Sequence, residues 1–241
     1  MTDILKKHRE IWQNKKILRD IYTKWYQKII SNLSNVPGKT LELGSGSGNF
    51  KEFKPDIITS DIDPQPWLDM SFDAHNIPFE KNSLANIVLV DVLHHLSNPI
   101  KFLHEAERTL SKGGRIIMVE PFPSFFSSVI YKLFHPEPFI YDIDYFSKEP
   151  FKNKKPWESN QAIPYLIFFK YINKFNKEFC TSLKINRREK ISFILYPLSG
   201  GFEKNQIIPS FLIPIAKLFE FFLMPFSSIF AFRCFLSIEK I

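Results

Sequence analysis

The feature that most constrains this chain is a glycine-rich turn that directly follows a short apolar run. The run is Lys39–Leu43, and the turn reads Gly44-Ser45-Gly46-Ser47-Gly48. Glycine lets a backbone bend sharply and approach a ligand without a Cβ in the way. In an open α/β sheet, a turn at the carboxyl end of a strand lies where nucleotides bind. The sequence therefore predicts a nucleotide-binding α/β domain.

Short apolar runs alternate with segments of helical period through the first half of the chain. This alternation is typical of a parallel sheet with right-handed crossovers. The predicted strands are residues 39–43, 56–60, 68–72, 86–90 and 115–119, with closing strands at 190–195 and 232–238. The predicted helices are residues 2–33, 99–110 and 161–179, and a further helix is expected directly after the glycine turn.

The glycine spacing separates two kinds of nucleotide site. Dinucleotide-binding enzymes carry G-x-G-x-x-G, in which the third glycine lets the helix pack closely on the strand. Counted from Gly44, that third position is Asn49, and the glycines instead alternate at 44, 46 and 48. A nicotinamide-dependent oxidoreductase is therefore disfavoured, but it stays open as an alternative.

The spacing and its flanking residues resemble motif I of the class I S-adenosylmethionine-dependent methyltransferases, in particular the type-11 methyltransferase domain. The resemblance covers roughly residues 37–121. It implies a Rossmann-like, doubly wound, mostly parallel seven-stranded sheet with an antiparallel closing strand. It also implies S-adenosylmethionine as the cofactor and methyl transfer by in-line displacement. The residues it assigns to the amino acid end of the cofactor are Glu42, Leu43, Gly44, Ser45, Gly46 and Gly48, with Glu42 facing the ammonium.

Two further acidic segments match the family pattern. Asp61 ends the second predicted strand, and the matching acid in the family accepts both ribose hydroxyls, a charge-assisted pairing. The resemblance places Ile62 on the adenine face and makes Asp63 a secondary helper. It assigns Asp73 and Ala74 to adenine recognition.

The segment after the fourth strand resembles the part of the family that lies beside the transferred methyl group. It supplies three candidates for a general base, Asp91, His94 and His95, and Asp91 is also a candidate cofactor contact. A positioned base adds about 10²–10⁴-fold to a rate when the acceptor is a hydroxyl. The open alternative is that one histidine orients the following helix. Glu120 is expected to line the acceptor pocket, and His75 to lie on its rim.

One position departs from the family pattern. Members usually carry Phe-Asp before the fourth strand, where this chain has Leu84-Ala85. Asn86 is the nearest polar substitute. We expect the lost carboxylate to affect local structure rather than the cofactor site.

The chain is expected to form one domain over residues 1–241. Its parts are an N-terminal helical cap (1–36), a cofactor-binding half (37–121), a substrate-side insertion (122–180), and a sheet closure with apolar helices (181–241). Tyr22, Trp25 and Tyr26 are expected to cover the cofactor as a lid, and residues 196–202 to lie near the acceptor.

The insertion is rich in aromatic residues. They are expected to form a wall around the acceptor: Phe122, Phe125, Phe126, Tyr131, Phe134, Phe139, Tyr141 and Phe146, in a cover that extends to Trp157. Aromatic side chains often line pockets for greasy ligands. The expected acceptor is therefore a small molecule or a lipid-linked compound with an apolar portion.

Charge and cysteine content narrow the partners. The net charge of +7 permits anionic partners, but no basic-aromatic nucleic-acid module and no Asn/Asp-Pro-Pro-Tyr-like motif is present, so no specific nucleic acid is expected. Cys180 and Cys234 lie far apart, which predicts neither a disulfide framework nor a metal site. The polar, charged residues 1–9 predict no secretory signal and a cytoplasmic location.

A long apolar stretch lies near the C-terminus. Between residues 207 and 232 only Lys217 and Glu220 are charged, and three prolines interrupt the stretch. A membrane span needs about 20 predominantly apolar residues. We expect buried helices or an interfacial patch in peripheral membrane contact, and not a span. A non-catalytic scaffold at a membrane is the remaining alternative.

Overall fold

Seven strands form one sheet in this computed structural model, which describes residues 2–134, 137–147 and 158–241. The strands are β1 (Lys39–Leu43), β2 (Ile58–Asp61), β3 (Met70–Ser71), β4 (Leu84–Val90), β5 (Leu110–Pro121), β6 (Leu183–Ile191) and β7 (Arg233–Lys240). Their order across the sheet is β3-β2-β1-β4-β5-β7-β6. Only β7 runs antiparallel to its neighbours β5 and β6. The predicted fold class is therefore confirmed.

Helices cover both faces of the sheet. The α-helices are α1 (Thr2–Asn14), α2 (Lys16–Ile30), α3 (Pro99–Thr109), α4 (Phe125–Phe134), α5 (Ile163–Tyr165), α6 (Ile172–Glu178), α7 (Leu195–Ser199), α8 (Ile213–Leu223) and α9 (Ser227–Phe230). A π-helical segment, Leu166–Lys170, joins α5 to α6. Short 3-10 turns occupy Asn49–Glu52, Leu93–His95, Ser210–Leu212 and Met224–Phe226.

The central strands are buried on both faces, as their continuous apolar runs predict. In β4, Ile87 and Leu89 pack into one core with α3 and the helical segment 163–178. Val88 packs into a second core with α2, α7 and α8 on the opposite face. β1 pairs with β2 on one side and with β4 on the other, so the strand order reverses at β1. A crevice for a ligand is expected at such a switch point, beyond the carboxyl ends of the strands.

Three local predictions were wrong. The N-terminal helical stretch is two helices separated at Lys15, and only a 3-10 turn, Asn49–Glu52, follows the glycine turn. The strand predicted at 190–195 is instead β6, which runs from Leu183 to Ile191 and is followed by α7. Edge strands are often charged, which prevents pairing with other chains. The charged residues of β6 therefore hid it from a search for apolar runs.

The apolar stretch near the C-terminus lies largely outside both cores. Ser210–Phe230 is helical, and by length and composition it is long and apolar enough to cross a membrane. Only 11% of its most apolar window is buried, so the expectation of buried helices was wrong. Within α8, only Ile213 and Ala216 are buried.

Asn86 joins β4 to the segment that leads into β1. Its Oδ1 accepts from the Ser34 backbone N–H at 2.7 Å, and its Nδ2 donates to the Ser34 carbonyl at 3.1 Å and to Thr40 Oγ1 at 3.2 Å. Leu84 and Ala85 begin the same strand, at the edge of the sheet opposite the glycine turn. The departure from the family pattern therefore lies away from the crevice.

Replacing the buried Asn86 with alanine removes its three hydrogen bonds and leaves the partly buried Ser34 N–H without its acceptor. A buried donor without an acceptor costs about 1–3 kcal/mol, so Asn86→Ala is expected to lower the free energy of unfolding by that amount in urea denaturation. The control is Asn186→Ala on exposed β6, for which a change within about 0.5 kcal/mol is expected. Equal changes in the two variants would show that the amide of Asn86 has no structural role.

Candidate functional site

The glycine turn at the carboxyl end of β1 is closely packed. Gly44, Gly46 and Gly48 have φ values of 63°, 50° and 73°, in the left-handed region that glycine adopts most easily. A Cβ on Gly44 would lie 2.5 Å from the Val92 side chain, so that position cannot hold a larger residue. The Ser45 N–H donates to the Ser60 carbonyl at 2.8 Å and fixes the turn against β2.

Glu42 places a buried carboxylate beside this turn. Its side chain is 4% exposed, and Oε2 has no hydrogen-bond partner among the described residues. Burial, opposed by a hydrogen bond from Ser45 and assisted by the charge of Asp61, raises the pKa of Glu42 to about 8. A buried carboxylate without a partner is unfavourable. A ligand ammonium beside Glu42 would relieve that cost, so the residues present fit the amino acid end of S-adenosylmethionine.

Asp61 lies at the end of β2 and faces the turn, as predicted. Its Oδ2 accepts from the Gly46 N–H at 2.9 Å, and its Oδ1 accepts from the Asp63 N–H at 3.1 Å. Burial raises the pKa of Asp61, although these backbone bonds act in the opposite direction. Ile62 follows with its side chain about half exposed, so it is available to a ligand ring.

Asp73 lies two residues beyond β3, in a loop at the same edge of the sheet. Its Oδ1 accepts from the His75 N–H at 2.9 Å and from His75 Nδ1 at 2.6 Å. His75 Nε2 in turn accepts from the Asn98 N–H at 3.1 Å. The tautomer with the proton on Nδ1 satisfies both contacts. His75 therefore links the Asp73 loop to the start of α3, and Ala74 packs against the core below it.

Asp91 follows β4 in a left-handed conformation, with φ of 58°. Tyr22 donates to its Oδ2 at 3.2 Å, and Arg233 Nε lies 3.0 Å from its Oδ1. Burial raises the pKa of Asp91, whereas the Arg233 charge lowers it. A base role would require Asp91 to leave this buried ion pair. The structure therefore pairs Asp91 with Arg233, and its roles as a base and as a cofactor contact stay predictions.

Glu120 holds His94 in place. Its buried carboxylate accepts from the backbone N–H groups of Val92 and Leu93 at 2.9 and 2.8 Å, and it contacts His94 Nδ1 at 2.8 Å. Burial raises the pKa of Glu120 to about 7, against the backbone bonds. The expectation that Glu120 lines the acceptor pocket was wrong, because its oxygens are directed at the turn beneath His94.

The two histidines have different surroundings. His94 is buried, and its Nε2 lies 4.0 Å from Glu137 Oε2. His95 is half-buried, with its ring centroid 4.2 Å from that of His94. His94 is the ring that Glu120 holds, and His95 is the more accessible of the two. The helix-orienting and base roles of the two histidines stay predictions.

Glu137 is a site residue that the sequence analysis missed. Its carboxylate and the rings of His94 and His95 offer ligand atoms within 4.8 Å of one another, close enough to hold a metal ion. The Gln161 amide also donates to Glu137. Glu137 belongs to the insertion and has no motif around it, so only the folded chain brings it to the end of β4.

Some aromatic residues of the insertion are buried, and others lie at the surface. Phe122 and Tyr131 are buried, and Phe139 packs edge-on against Tyr131 with ring centroids 5.3 Å apart. Phe125 and Phe126 are 70% and 43% exposed, so they lie at the surface, and their place in a wall around the acceptor stays a prediction. The Phe134 side chain and Trp157 lie outside the described residues.

The N-terminal cap contacts the turn through α1. Arg9 Nη1 donates to the Ser47 carbonyl at 2.8 Å, and Leu5 packs beside Gly46. The aromatic residues expected to form the lid belong to α2 and are buried against the sheet: Tyr22, Trp25 and Tyr26. Of these, Tyr22 reaches the site through Asp91. Residues 196–202 pack beside it, with the Phe202 ring 5.5 Å from the Tyr22 ring.

Comparison with known proteins agrees with this geometry. A family model described as a methyltransferase domain matches residues 16–176. A demethylmenaquinone methyltransferase from Thermotoga maritima is 27% identical over 118 residues, which cover 42% of this chain and 52% of that protein. The chain thus spans about half the length of this curated relative.

Solved structures share the fold at low sequence identity. A SAM-dependent methyltransferase from Archaeoglobus fulgidus has a TM-score of 0.56 at 14% identity, over 96% of this chain and 98% of that one. A geranyl diphosphate C-methyltransferase from Streptomyces coelicolor, in complex with Mg²⁺, geranyl diphosphate and S-adenosyl-L-homocysteine, has a TM-score of 0.50 at 11% identity. The match covers 93% of this chain and 81% of the Streptomyces coelicolor chain.

The raised pKa of Glu42 predicts a pH-dependent stability difference. An unfolded Glu titrates near ~4.3, so the stability that protonated Glu42 contributes is lost as pH rises from there through its folded pKa of about 8. Glu42→Gln does not titrate. The variant is expected to match the wild type near pH 5 and to unfold at least ~3 °C higher at pH 8.5 in thermal scans. The control is Glu80→Gln at an exposed site, and an equal Tm difference at both pH values would contradict the prediction.

Proposed function

The chain belongs to the methyltransferase domain family and is an S-adenosylmethionine-dependent enzyme, and from this premise we propose that its acceptor is a small-molecule or lipid-linked compound with an apolar portion. The observation that carries the proposal is the position of the half-buried His95 at the end of β4, next to an insertion rich in aromatic side chains. The fold is shared with solved methyltransferases, and the cytoplasmic location stays a prediction.

The cofactor contacts that we propose follow from the geometry of the crevice. Glu42 holds the ammonium, and the backbone of Gly44–Gly48 holds the amino acid end. Asp61 binds the ribose hydroxyls, because its carboxylate faces the turn and keeps further lone pairs beside its two backbone bonds. Ile62 packs on the adenine, and Asp73 with Ala74 contacts its edge. When bound, S-adenosylmethionine supplies a methyl group on a positively charged sulfur.

The chain's own residues orient the acceptor and move a proton. Holding two groups in reactive geometry contributes up to ~7–11 kcal/mol to catalysis. We propose that His95 takes the proton from a hydroxyl or amine of the acceptor, since imidazole is the side chain best suited to exchange protons near neutral pH. His94, held by Glu120, fixes the position of His95 through the ring contact. Glu120 and His94 are thus positioning residues.

A labelled-methyl assay tests the proposal. The wild-type enzyme is incubated with S-adenosylmethionine carrying a labelled methyl group and with a cell extract divided into organic-soluble and aqueous fractions. Label is expected in the organic-soluble fraction, because the acceptor has an apolar portion. Label confined to macromolecules or to strongly polar metabolites would overturn the acceptor class.

Asp61→Ala serves as the site variant in this assay. Loss of a hydrogen bond to a charged group costs about 1.5–3 kcal/mol, so calorimetry is expected to show cofactor binding weakened by roughly 10- to 150-fold. Asp63→Ala is the matched neighbour, for which less than ~3-fold weakening is expected, because the acid beside the ribose site is only a helper. Unchanged affinity in Asp61→Ala would remove Asp61 from the site.

A further inference from the structure

The helical stretch near the C-terminus presents apolar side chains to solvent. Eight large side chains of α8 and the turns that flank it are each more than half exposed, among them Phe211, Leu218, Phe221, Phe222, Met224 and Phe226. Contiguous exposed apolar surface of this kind marks an interaction site in soluble proteins. Together with the exposed side chains of α4 and α9, these residues are called the apolar surface below.

The inner side of α8 is fixed to the domain by its polar residues. Lys217 Nζ lies 2.7 Å from Asp20 Oδ2. Glu220 Oε1 accepts from the backbone N–H groups of Phe193 and Leu195 at 2.8 and 3.2 Å. Both charged residues of the stretch therefore point inward, the reverse of an ordinary surface helix. The helix lies along the domain, and crossing a membrane would break these contacts and place both charges in hydrocarbon.

The apolar surface lies at the edge of the sheet where the acceptor is expected. Pro121, the last residue of β5, pairs with Arg233, the first residue of β7. Helix α4 follows β5 and α9 precedes β7, so both helices leave the carboxyl edge, where His95 lies. Phe126 of α4 stacks on Phe230, the last residue of α9, with ring centroids 4.6 Å apart. The two helices thus form one continuous surface.

Basic residues border the apolar surface. Lys190 Nζ donates to Ser228 Oγ in α9 at 2.6 Å, and Lys132 is exposed on α4. The whole chain carries a net charge of +7. Lysine near a membrane is attracted to anionic headgroups, whereas an apolar partner protein would gain nothing from this charge. The combination of outward apolar side chains and bordering cations matches a bilayer that contains anionic lipids.

We propose that α4, α8 and α9 lie in the headgroup region of an anionic bilayer, and that the acceptor reaches His95 from that bilayer. The route of the acceptor to His95 rests on the proposed function. The position of the three helices in the bilayer rests only on the apolar surface and its charges. The enzyme is thus a peripheral membrane protein whose crevice opens toward the lipid.

Vesicle sedimentation tests the proposal on the full chain. Wild-type protein is expected to bind vesicles that contain phosphatidylglycerol, with binding reduced by salt, and to bind pure phosphatidylcholine vesicles at least tenfold more weakly. The double variant Leu218→Ser/Phe222→Ser is expected to lose at least tenfold in vesicle affinity. The matched control is Ile4→Ser, an exposed apolar residue on α1 away from the surface, which is expected to bind as the wild type does.

Cofactor binding and the oligomeric state are measured on the same proteins. Cofactor binding by calorimetry is expected to be unchanged in the double variant, which shows that the domain is folded. Absence of vesicle binding by folded wild-type protein would overturn the proposal. So would a wild-type dimer in sedimentation equilibrium that the double variant converts to a monomer, because the surface would then join two copies. Vesicle binding without labelled lipid product would support the surface and overturn the acceptor assignment.

Discussion

The structure of the site depends on one buried carboxylate. Glu42 is the penultimate residue of β1, next to the point where the strand order reverses, and its Oε2 has no hydrogen-bond partner among the described residues. Burying a charge without a partner is costly, so the carboxylate takes up a proton at neutral pH, with a pKa of about 8. The folded chain thus holds a buried carboxylate without a counter-charge, and the ammonium of a bound ligand would supply that charge.

The surrounding elements keep that position available. The glycine turn fits only because Gly44 has no side chain to meet Val92. On the neighbouring strand, Asp91 takes a left-handed conformation and pairs with Arg233 from the last strand. Tyr22 from α2 binds the same carboxylate. Helix α2, the end of β4 and the start of β7 therefore meet at one buried ion pair beside the cofactor crevice.

The sequence predicted the part of the site that is encoded locally. The turn, Glu42 and Asp61 lie within one strand-turn unit and the next strand, so their spacing and the resemblance to the family were enough to predict them together. Glu137 could not be found this way, because only tertiary packing brings it to the histidines. The direction of Glu120 was missed for the same reason: its position at a strand end is local, but its partners are the backbone of another turn. The outward apolar face of α8 also depends on contacts with distant elements.

Calorimetry of S-adenosylmethionine binding in two buffers of different ionisation enthalpy tests the role of Glu42 most directly. At pH 7 most of the ligand amine is already charged, whereas Glu42 is mostly protonated. Binding of the ammonium is expected to release a proton from Glu42. The difference in observed binding enthalpy between the two buffers is therefore expected to be larger for the wild type than for Glu42→Gln. The excess is at most the difference between the two buffers' ionisation enthalpies for one proton. Binding with the same buffer dependence in both proteins would contradict the account.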